Sequence, residues 1–218
     1  MPDTRFVTVE DYEVAAREVL DRATYDYYAG GAGDERTIRA NRRAFDRWAL
    51  RPRVLRGAAA PDTGISLFGD QLAIPVLIAP WAYPRMAHPD GEGAIRRAAA
   101  RAGTVMVVSS TSHAVLDDAA AAADAPAWWQ MYLANDRAFS ADMLGHVVAA
   151  GYRAIVWTVD LPIVGLRDRD VRNAFTMPVD PPGAAYECDP AISWDDLAWI
   201  RAASGRGPHP DPRLPLIG

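Results

Sequence analysis

Two stretches of the sequence decide the fold: AWWQMYL at residues 127–133 and AIVWTVD at residues 154–160. Each is mainly apolar and carries polar side chains towards its end, and a segment with helical spacing of apolar residues separates the two. Strands that are almost continuously apolar are typical of a parallel sheet covered on both faces. We therefore predict a repeating β/α unit in this region.

The same alternation extends in both directions along the chain. Residues 8–47 have helical spacing, interrupted by Gly30, Gly31 and Gly33. The Pro-rich and charged segments 161–192 and 205–215 are predicted to be irregular. The chain thus divides into an N-terminal helical segment with its lead-in (1–73) and a β/α region (74–218). In that region we predict five parallel strands, at 74–80, 104–110, 127–133, 154–160 and 214–218, with helices near 90–102, 114–124, 136–150 and 193–203.

Composition excludes several classes of protein. The 218 residues are 50% apolar and 23% charged, which is typical of a soluble globular protein, and no run of about 20 apolar residues suggests a membrane partner. A net charge of −5 argues against a nucleic-acid partner. All 23 basic residues are arginine, which excludes a Schiff-base or P-loop lysine within this sequence.

Cysteine and histidine usage gives no sign of a metal site or a disulfide. Cys188 is the single cysteine, and the four histidines lack metal-ligand spacing. Residues 1–11 carry acidic side chains and no apolar run, unlike a signal peptide. We expect a cytoplasmic protein with no metal.

Polar residues gather where the predicted strands end, at Ser109, Gln130, Thr158 and Asp160. Barrel enzymes place their active sites at the carboxyl ends of parallel strands, and an open doubly wound sheet binds ligands there too. A dinucleotide-binding sheet would need a Gly-rich phosphate loop after its first strand. That loop is missing, which favours a barrel.

Motifs in the sequence resemble those of one enzyme family. The principal motifs are YDYYAGG (25–31), NRRAF (41–45), IAP (78–80), HPDGE (88–92), QMY (130–132) and TVDLP (158–162). RDRDVRN (167–173) and SWDDL (193–197) extend the match. On these motifs the chain resembles the FMN-dependent L-2-hydroxy-acid oxidases and dehydrogenases, which include glycolate, lactate and mandelate oxidases. The matches run in order from residue 8 to the end and correspond to the N-terminal half of that family.

The resemblance implies a fold and a cofactor site. The fold would be an α/β TIM (β/α)8 barrel, of which this chain supplies the N-terminal helical segment and the first five strands. FMN would lie over the backbone of Pro80, Trp81 and Ala82, and the edge of its ring would receive hydrogen bonds from three strand-end side chains: Ser109, Gln130 and Thr158. Read from the residues alone, these three side chains could equally well only satisfy the ends of their strands.

The resemblance also implies a substrate site. It assigns Tyr27 and Arg167 to a substrate carboxylate, which a guanidinium fork suits because it can donate two parallel hydrogen bonds. It assigns Tyr132 to the substrate hydroxyl, and Asp160 to a catalytic histidine that it would orient. The family usually has two adjacent arginines where this chain has Leu166-Arg167. Tyr27 as a packing aromatic and Asp160 as a loop cap remain the structural alternatives.

Several residues that the family needs do not occur in the sequence. The Ser-Asn-His-Gly-Gly pattern with the catalytic histidine is absent, and so is the lysine that faces the flavin. We therefore expect a complementary C-terminal half-barrel polypeptide as partner, and a homo-oligomer for the complete enzyme. The alternative is a non-catalytic or truncated half-barrel that only binds a partner fragment. A flavin-dependent isomerase is a third reading, which the carboxylate pair Tyr27 and Arg167 disfavours.

The implied reaction is oxidation of an L-2-hydroxy acid to a 2-oxo acid, with the flavin reoxidised by oxygen or another acceptor. Thr111 stands where glycolate oxidase has a bulky tryptophan. The smaller side chain predicts a wider pocket, and hence a bulky or aromatic, mandelate-like acid as substrate.

Overall fold

The computed structural model describes residues 6–57, 60–111, 125–161, 164–176, 188–205 and 216–217. The helix predicted at 114–124 lies outside these residues. The described chain forms two compact units: a helical unit of residues 6–57 and 164–176, and a sheet unit of the remaining residues. Residues 60–73, on the N-terminal side of the predicted boundary, therefore cluster with the sheet.

The helices and strands occur in the following order. The helices are α1 (Val9–Val19), α2 (Arg22–Ala29), α3 (Arg36–Ala44), α4 (Gly91–Arg101), α5 (Arg137–Ala149), α6 (Asp168–Arg172) and α7 (Asp196–Ala203), with short 3-10 turns at Phe45–Arg47 and Pro84–Met86. The strands are β1 (Ile65–Leu67), β2 (Asp70–Leu72), β3 (Met106–Ser109), β4 (Ala127–Met131), β5 (Ala154–Trp157) and β6 (Leu216–Ile217). Within the described ranges, no helix is both long and apolar enough to cross a membrane.

Local side chains set where the helices begin. Thr8 and Asp11 form a reciprocal capping box at the start of α1, and Asp21 and Asp136 accept backbone N–H groups at the starts of α2 and α5. The prediction that 161–192 is irregular is wrong for Asp168–Arg172, which is helix α6. The prediction of irregular structure follows from the prolines of that segment. Helix α6 contains no proline, and an ion pair joins its first and last residues, which lie one turn apart.

The sheet confirms the predicted order of parallel segments. Strands β3, β4, β5 and β6 pair in that order and are parallel. A further parallel bridge joins Ile78 to Met106, the first residue of β3. The first predicted strand, 74–80, is reduced to this bridge, because Pro75 and Pro80 have no backbone N–H to donate. The described residues thus show five adjacent parallel segments, as in part of a barrel, and no closed barrel.

An antiparallel hairpin of β1 and β2 precedes the sheet and was not predicted. Phe68 and Gly69 connect the two strands, both with positive φ (51° and 87°), as a tight hairpin turn requires. Each strand has only three residues, too few for an alternating pattern to stand out in the sequence.

The two faces of the sheet have different surroundings. One face, which includes Trp129 and Met131, packs against apolar side chains that include Leu144 of α5 and Ile200 of α7. The opposite face carries a smaller apolar cluster of Leu72, Val105, Val107, Trp128 and Ala154. Because side chains alternate along a strand, this second face continues into Ser109, Gln130 and Thr158 at the carboxyl ends of the strands. The second face is therefore apolar at its amino end and polar at its carboxyl end.

Candidate functional site

Three of the predicted cofactor-binding side chains form one continuous row of hydrogen bonds. The Ser109 hydroxyl donates to Oε1 of Gln130 at 3.1 Å, and Nε2 of Gln130 donates to the Thr158 hydroxyl at 2.9 Å. The backbone N–H of Ser110 also donates to Oε1 of Gln130, at 3.2 Å. Ser109 and Gln130 are buried, and Thr158 is half-buried. The structure therefore brings the ends of β3, β4 and β5 together through side chains.

Thr111 extends this row and links it to a neighbouring segment. Its hydroxyl lies 2.8 Å from the Ser109 hydroxyl, and its backbone N–H donates to the same oxygen at 3.2 Å. The carbonyl of Thr111 accepts from the N–H of Tyr83 at 3.4 Å. Pro80–Ala82 lie between this link and the bridge at Ile78, so they run beside the carboxyl end of β3. Sequence reasoning missed Thr111 in this network, because a hydroxyl after a strand end gives no sign of its partner.

The arrangement suits the ring of a flavin. The isoalloxazine ring is flat and has donors and acceptors along its pyrimidine edge, and proteins tune its electronics through hydrogen bonds to that edge. Gln130 and the hydroxyl side chains of the row offer both donors and acceptors. Pro80 and Trp81 leave part of the adjacent segment exposed. The residues present therefore fit the group that the sequence predicts.

Tyr132 and Asp160 lie in the same unit, just beyond β4 and β5. Tyr132 is half-buried, and burial raises the pKa of its phenol, with Cys188, Asp160 and Tyr83 adding to the shift. Cys188 is held nearby by an antiparallel bridge to Ala134. Sequence reasoning did not connect Cys188 with Tyr132, since the two are far apart in the chain and no motif joins them.

Tyr27 and Arg167 meet in the helical unit. The Arg167 guanidinium lies over the Tyr27 ring, 4.9 Å from its centroid, and that ring also stacks on Phe175 at 5.0 Å and meets the Tyr28 ring edge-on at 5.3 Å. The same guanidinium donates to the backbone carbonyls of Tyr27 and Gly30, the latter at 2.8 Å. Asp170 lies 3.4 Å from its Nε. Arg167 is thus held at the C-terminal end of α2 by groups that fix its direction.

Ion pairs of Arg169 connect α6 to the helical region that precedes it in the chain. Its guanidinium contacts Glu35 at 2.6 Å and Asp26 at 3.2 Å, and Asn173 donates to the second oxygen of Asp26 at 2.9 Å. The hydrogen bond from Asn173, followed by Arg169, lowers the pKa of Asp26, and the Arg169 guanidinium lowers the pKa of Glu35. This cluster was not predicted either, because charged residues in helical segments more often face solvent.

The predicted site residues fall into two groups. Tyr27 and Arg167 belong to the helical unit, and the other predicted site residues belong to the sheet unit. Tyr27 and Arg167 are in contact within the helical unit, and hydrogen bonds link Ser109, Gln130 and Thr158 within the sheet unit.

Comparison with known proteins assigns the family. The family model for FMN-dependent dehydrogenases matches residues 16–208. Human 2-hydroxyacid oxidase 1 is 38% identical over 223 aligned residues, covering 90% of this chain and 60% of the relative. L-lactate oxidase of Nostoc sp. is 36% identical, covering 91% of this chain and 62% of the relative.

A solved structure agrees with the sequence matches. A mandelate oxidase variant with (S)-mandelic acid superposes with a TM-score of 0.86 at 37% identity, covering 96% of this chain and 60% of that structure. This chain thus spans about 60% of the length of the relatives that it matches. The extent of the family match over residues 16–208 shows that the chain belongs to the FMN-dependent dehydrogenase family.

Proposed function

We propose that this chain forms the N-terminal half of the (β/α)8 barrel of an FMN-dependent enzyme that oxidises an L-2-hydroxy acid to a 2-oxo acid. The observation that carries the proposal is the hydrogen-bonded row of Ser109, Gln130 and Thr158 at the carboxyl ends of three adjacent parallel strands. Barrel enzymes bind their ligands at this end. The relatives of this chain named above are a 2-hydroxyacid oxidase, an L-lactate oxidase and a mandelate oxidase.

The sheet unit would hold the cofactor. FMN, when bound, supplies the acceptor for the electrons that leave the substrate. Gln130 and Thr158 would bind the polar edge of its ring, Ser109 would act on that edge through Gln130, and the backbone of Pro80–Ala82 would support the ring from one side. The row holds its side chains in fixed directions before the cofactor arrives, which lowers the cost of ordering them on binding.

The substrate would be held by charge and by hydroxyl groups. Arg167 and Tyr27 would bind its carboxylate, and the contacts of Arg167 with the carbonyls of Tyr27 and Gly30 keep the guanidinium in place. Tyr132 would donate a hydrogen bond to the substrate oxygen at C2. Its raised pKa keeps the phenol protonated at neutral pH, which this role requires.

Asp160 would act through a histidine. Its side chain is exposed at the end of β5, where a second group can reach it. A carboxylate beside an imidazole selects its tautomer and stabilises the imidazolium that forms as the substrate proton leaves. No histidine of this chain lies in the expected pattern, so the histidine would come from the rest of the barrel.

A complementary C-terminal polypeptide would supply that remainder. The relatives extend well beyond the region that this chain matches. We refer to this chain assembled with the polypeptide that completes the barrel as the complete enzyme, and propose that it is a homo-oligomer.

The preferred substrate would be bulky or aromatic. Thr111, two residues beyond β3, has a small side chain that would widen the pocket for the substrate's side chain. A mandelate oxidase variant with (S)-mandelic acid is among the proteins most similar in structure, which supports this choice.

The test is made on the purified complete enzyme, with the mass of every polypeptide determined. We expect yellow protein with flavin absorbance, and a kcat/KM for (S)-mandelate at least tenfold above that for glycolate. A preference for glycolate would contradict the substrate assignment alone. Colourless protein that pairs with its complement but holds no flavin would favour the non-catalytic half-barrel.

A further inference from the structure

The hydrogen-bonded row has a direction, and one backbone group sets it. The N–H of Ser110 can only donate, and it points to Oε1 of Gln130 at 3.2 Å. Oε1 is therefore the acceptor end of the amide, and Nε2 is the donor end. The hydrogen bond between Gln130 and Thr158 consequently runs from Nε2 to the Thr158 oxygen.

The other end of the row follows from counting hydrogens. A serine hydroxyl has one hydrogen to donate and two lone pairs to accept with. With Ser109 donating its one hydrogen to Gln130, the 2.8 Å contact between Ser109 and Thr111 uses the hydrogen of Thr111, which is one of the two directions that this contact allows. The N–H of Thr111 donates to the same oxygen. Thr111 thus fills both lone pairs of Ser109.

We propose that Thr111 is a positioning residue for the flavin: its hydroxyl starts a one-way row, Thr111 to Ser109 to Gln130, which leaves Thr158 to donate its hydrogen to an acceptor on the flavin ring. The row itself does not use the Thr158 hydrogen, since Thr158 accepts from Gln130. The inference rests on the proposed function and adds a residue that would not itself touch the cofactor.

The row acts cooperatively. A hydroxyl that accepts a hydrogen bond becomes a stronger donor, and this effect is larger where water is excluded. Ser109 is 4% exposed and Gln130 is 1% exposed. Removal of the Thr111 hydroxyl therefore weakens each later donor, including Thr158. Reduction adds negative charge to the flavin ring, so a weaker donor at its edge stabilises the reduced form less and lowers the reduction potential.

The experiment measures the two-electron reduction potential of FMN in the complete enzyme, with FMN affinity as a second readout. Thr111→Val keeps the shape of the side chain and removes the hydroxyl, whereas Thr111→Ser keeps the hydroxyl. We expect Thr111→Val to retain FMN and to shift the equilibrium between oxidised and reduced flavin three- to tenfold towards the oxidised form. This shift corresponds to a potential about 14–30 mV lower. Thr111→Ser should stay at the wild-type potential.

The outcomes separate this inference from the proposed function. A Thr111→Val potential equal to that of the wild type, or a Thr111→Ser potential shifted as far as that of Thr111→Val, would overturn the inference alone. If Thr111→Val does not fold, Thr111→Ala takes its place with the same expectation. Wild-type complete enzyme without flavin would overturn the proposed function, and the inference with it.

Discussion

The indole nitrogen of Trp128 donates a hydrogen bond to a carboxylate oxygen of Asp70, 3.0 Å away, although the two residues lie far apart in the chain. The other oxygen of Asp70 pairs with Arg153 at 3.0 Å, and the ring of Phe68 packs against Trp128 with centroids 5.6 Å apart. Asp70 is buried. The contacts of Asp70 therefore hold the β1–β2 hairpin against the amino ends of β4 and β5, at the opposite end of the sheet from the polar row.

This contact leads to a prediction about stability. Asp70→Ala should lower the free energy of unfolding of the complete enzyme by about 1–3 kcal/mol, because the buried indole N–H of Trp128 loses its acceptor. Urea midpoints measure the change. Asp142→Ala, at an exposed position of α5, is the matched control and should change stability by about 0.5 kcal/mol or less. Equal midpoints for the two variants would show that the hairpin contact contributes nothing.

Arg167→Lys should raise KM for the hydroxy acid roughly 10- to 100-fold in the complete enzyme, while FMN stays bound. A lysine supplies a point charge and cannot replace a planar fork that also holds the carbonyls of Tyr27 and Gly30. Steady-state kinetics and flavin absorbance measure the two effects. Arg172→Lys, at an exposed position of α6, should leave both unchanged. An unaltered KM in Arg167→Lys would remove this residue from the substrate site.

Tyr132→Phe should lower kcat about 10- to 100-fold, with a smaller effect on KM, if the phenol acts mainly in the transition state. Because burial and the nearby Cys188 and Asp160 raise the pKa of Tyr132 above its usual value of about 10, the phenol stays protonated across neutral pH. The ratio of wild-type to variant kcat should therefore be constant from about pH 6 to pH 9. A ratio that falls steadily over this range would mean that Tyr132 ionises there.

Arg169→Gln should destabilise the complete enzyme at pH 7, and the difference from the wild type should shrink in acid. The pKa values of Asp26 and Glu35 are lowered in the folded protein, so the unfolded chain takes up protons at higher pH. The stabilisation is complete above about pH 5 and is lost as the pH falls through the lowered values. Urea midpoints at several pH values test this. Arg172→Gln is the control, and a pH-independent difference for Arg169→Gln would contradict the prediction.

Periodicity predicted those parts of the structure that depend on burial. The β4 and β5 segments are apolar except for Gln130 because both faces are covered, and their order in the sheet followed from the β/α alternation. The polar row could be located from sequence since Ser109, Gln130 and Thr158 each follow an apolar run. What sequence could not supply were contacts between distant residues. Trp128 with Asp70, and Arg169 with Asp26, depend on tertiary geometry that leaves no local pattern.

Residues 1–218 expressed without a complement should neither fold cooperatively nor hold FMN tightly. The segment at Ile78 and strand β6 each have one neighbouring strand among the described residues, so each has an edge that no described strand pairs with. A barrel removes such edges by closure. Large apolar side chains also remain exposed, with Trp194 at 81% and Val76 at 58%.

Solubility, thermal melting and FMN titration of this fragment test the expectation, and the complete enzyme serves as the positive control. The sheet unit alone has the polar row that would meet the edge of the flavin ring, so weak FMN binding to a partly folded fragment does not contradict the prediction. A soluble monomer that melts cooperatively, holds FMN tightly and oxidises a hydroxy acid would contradict it. Such a protein would have to obtain a base for the substrate proton from the histidines of this chain, none of which lies in the family's pattern.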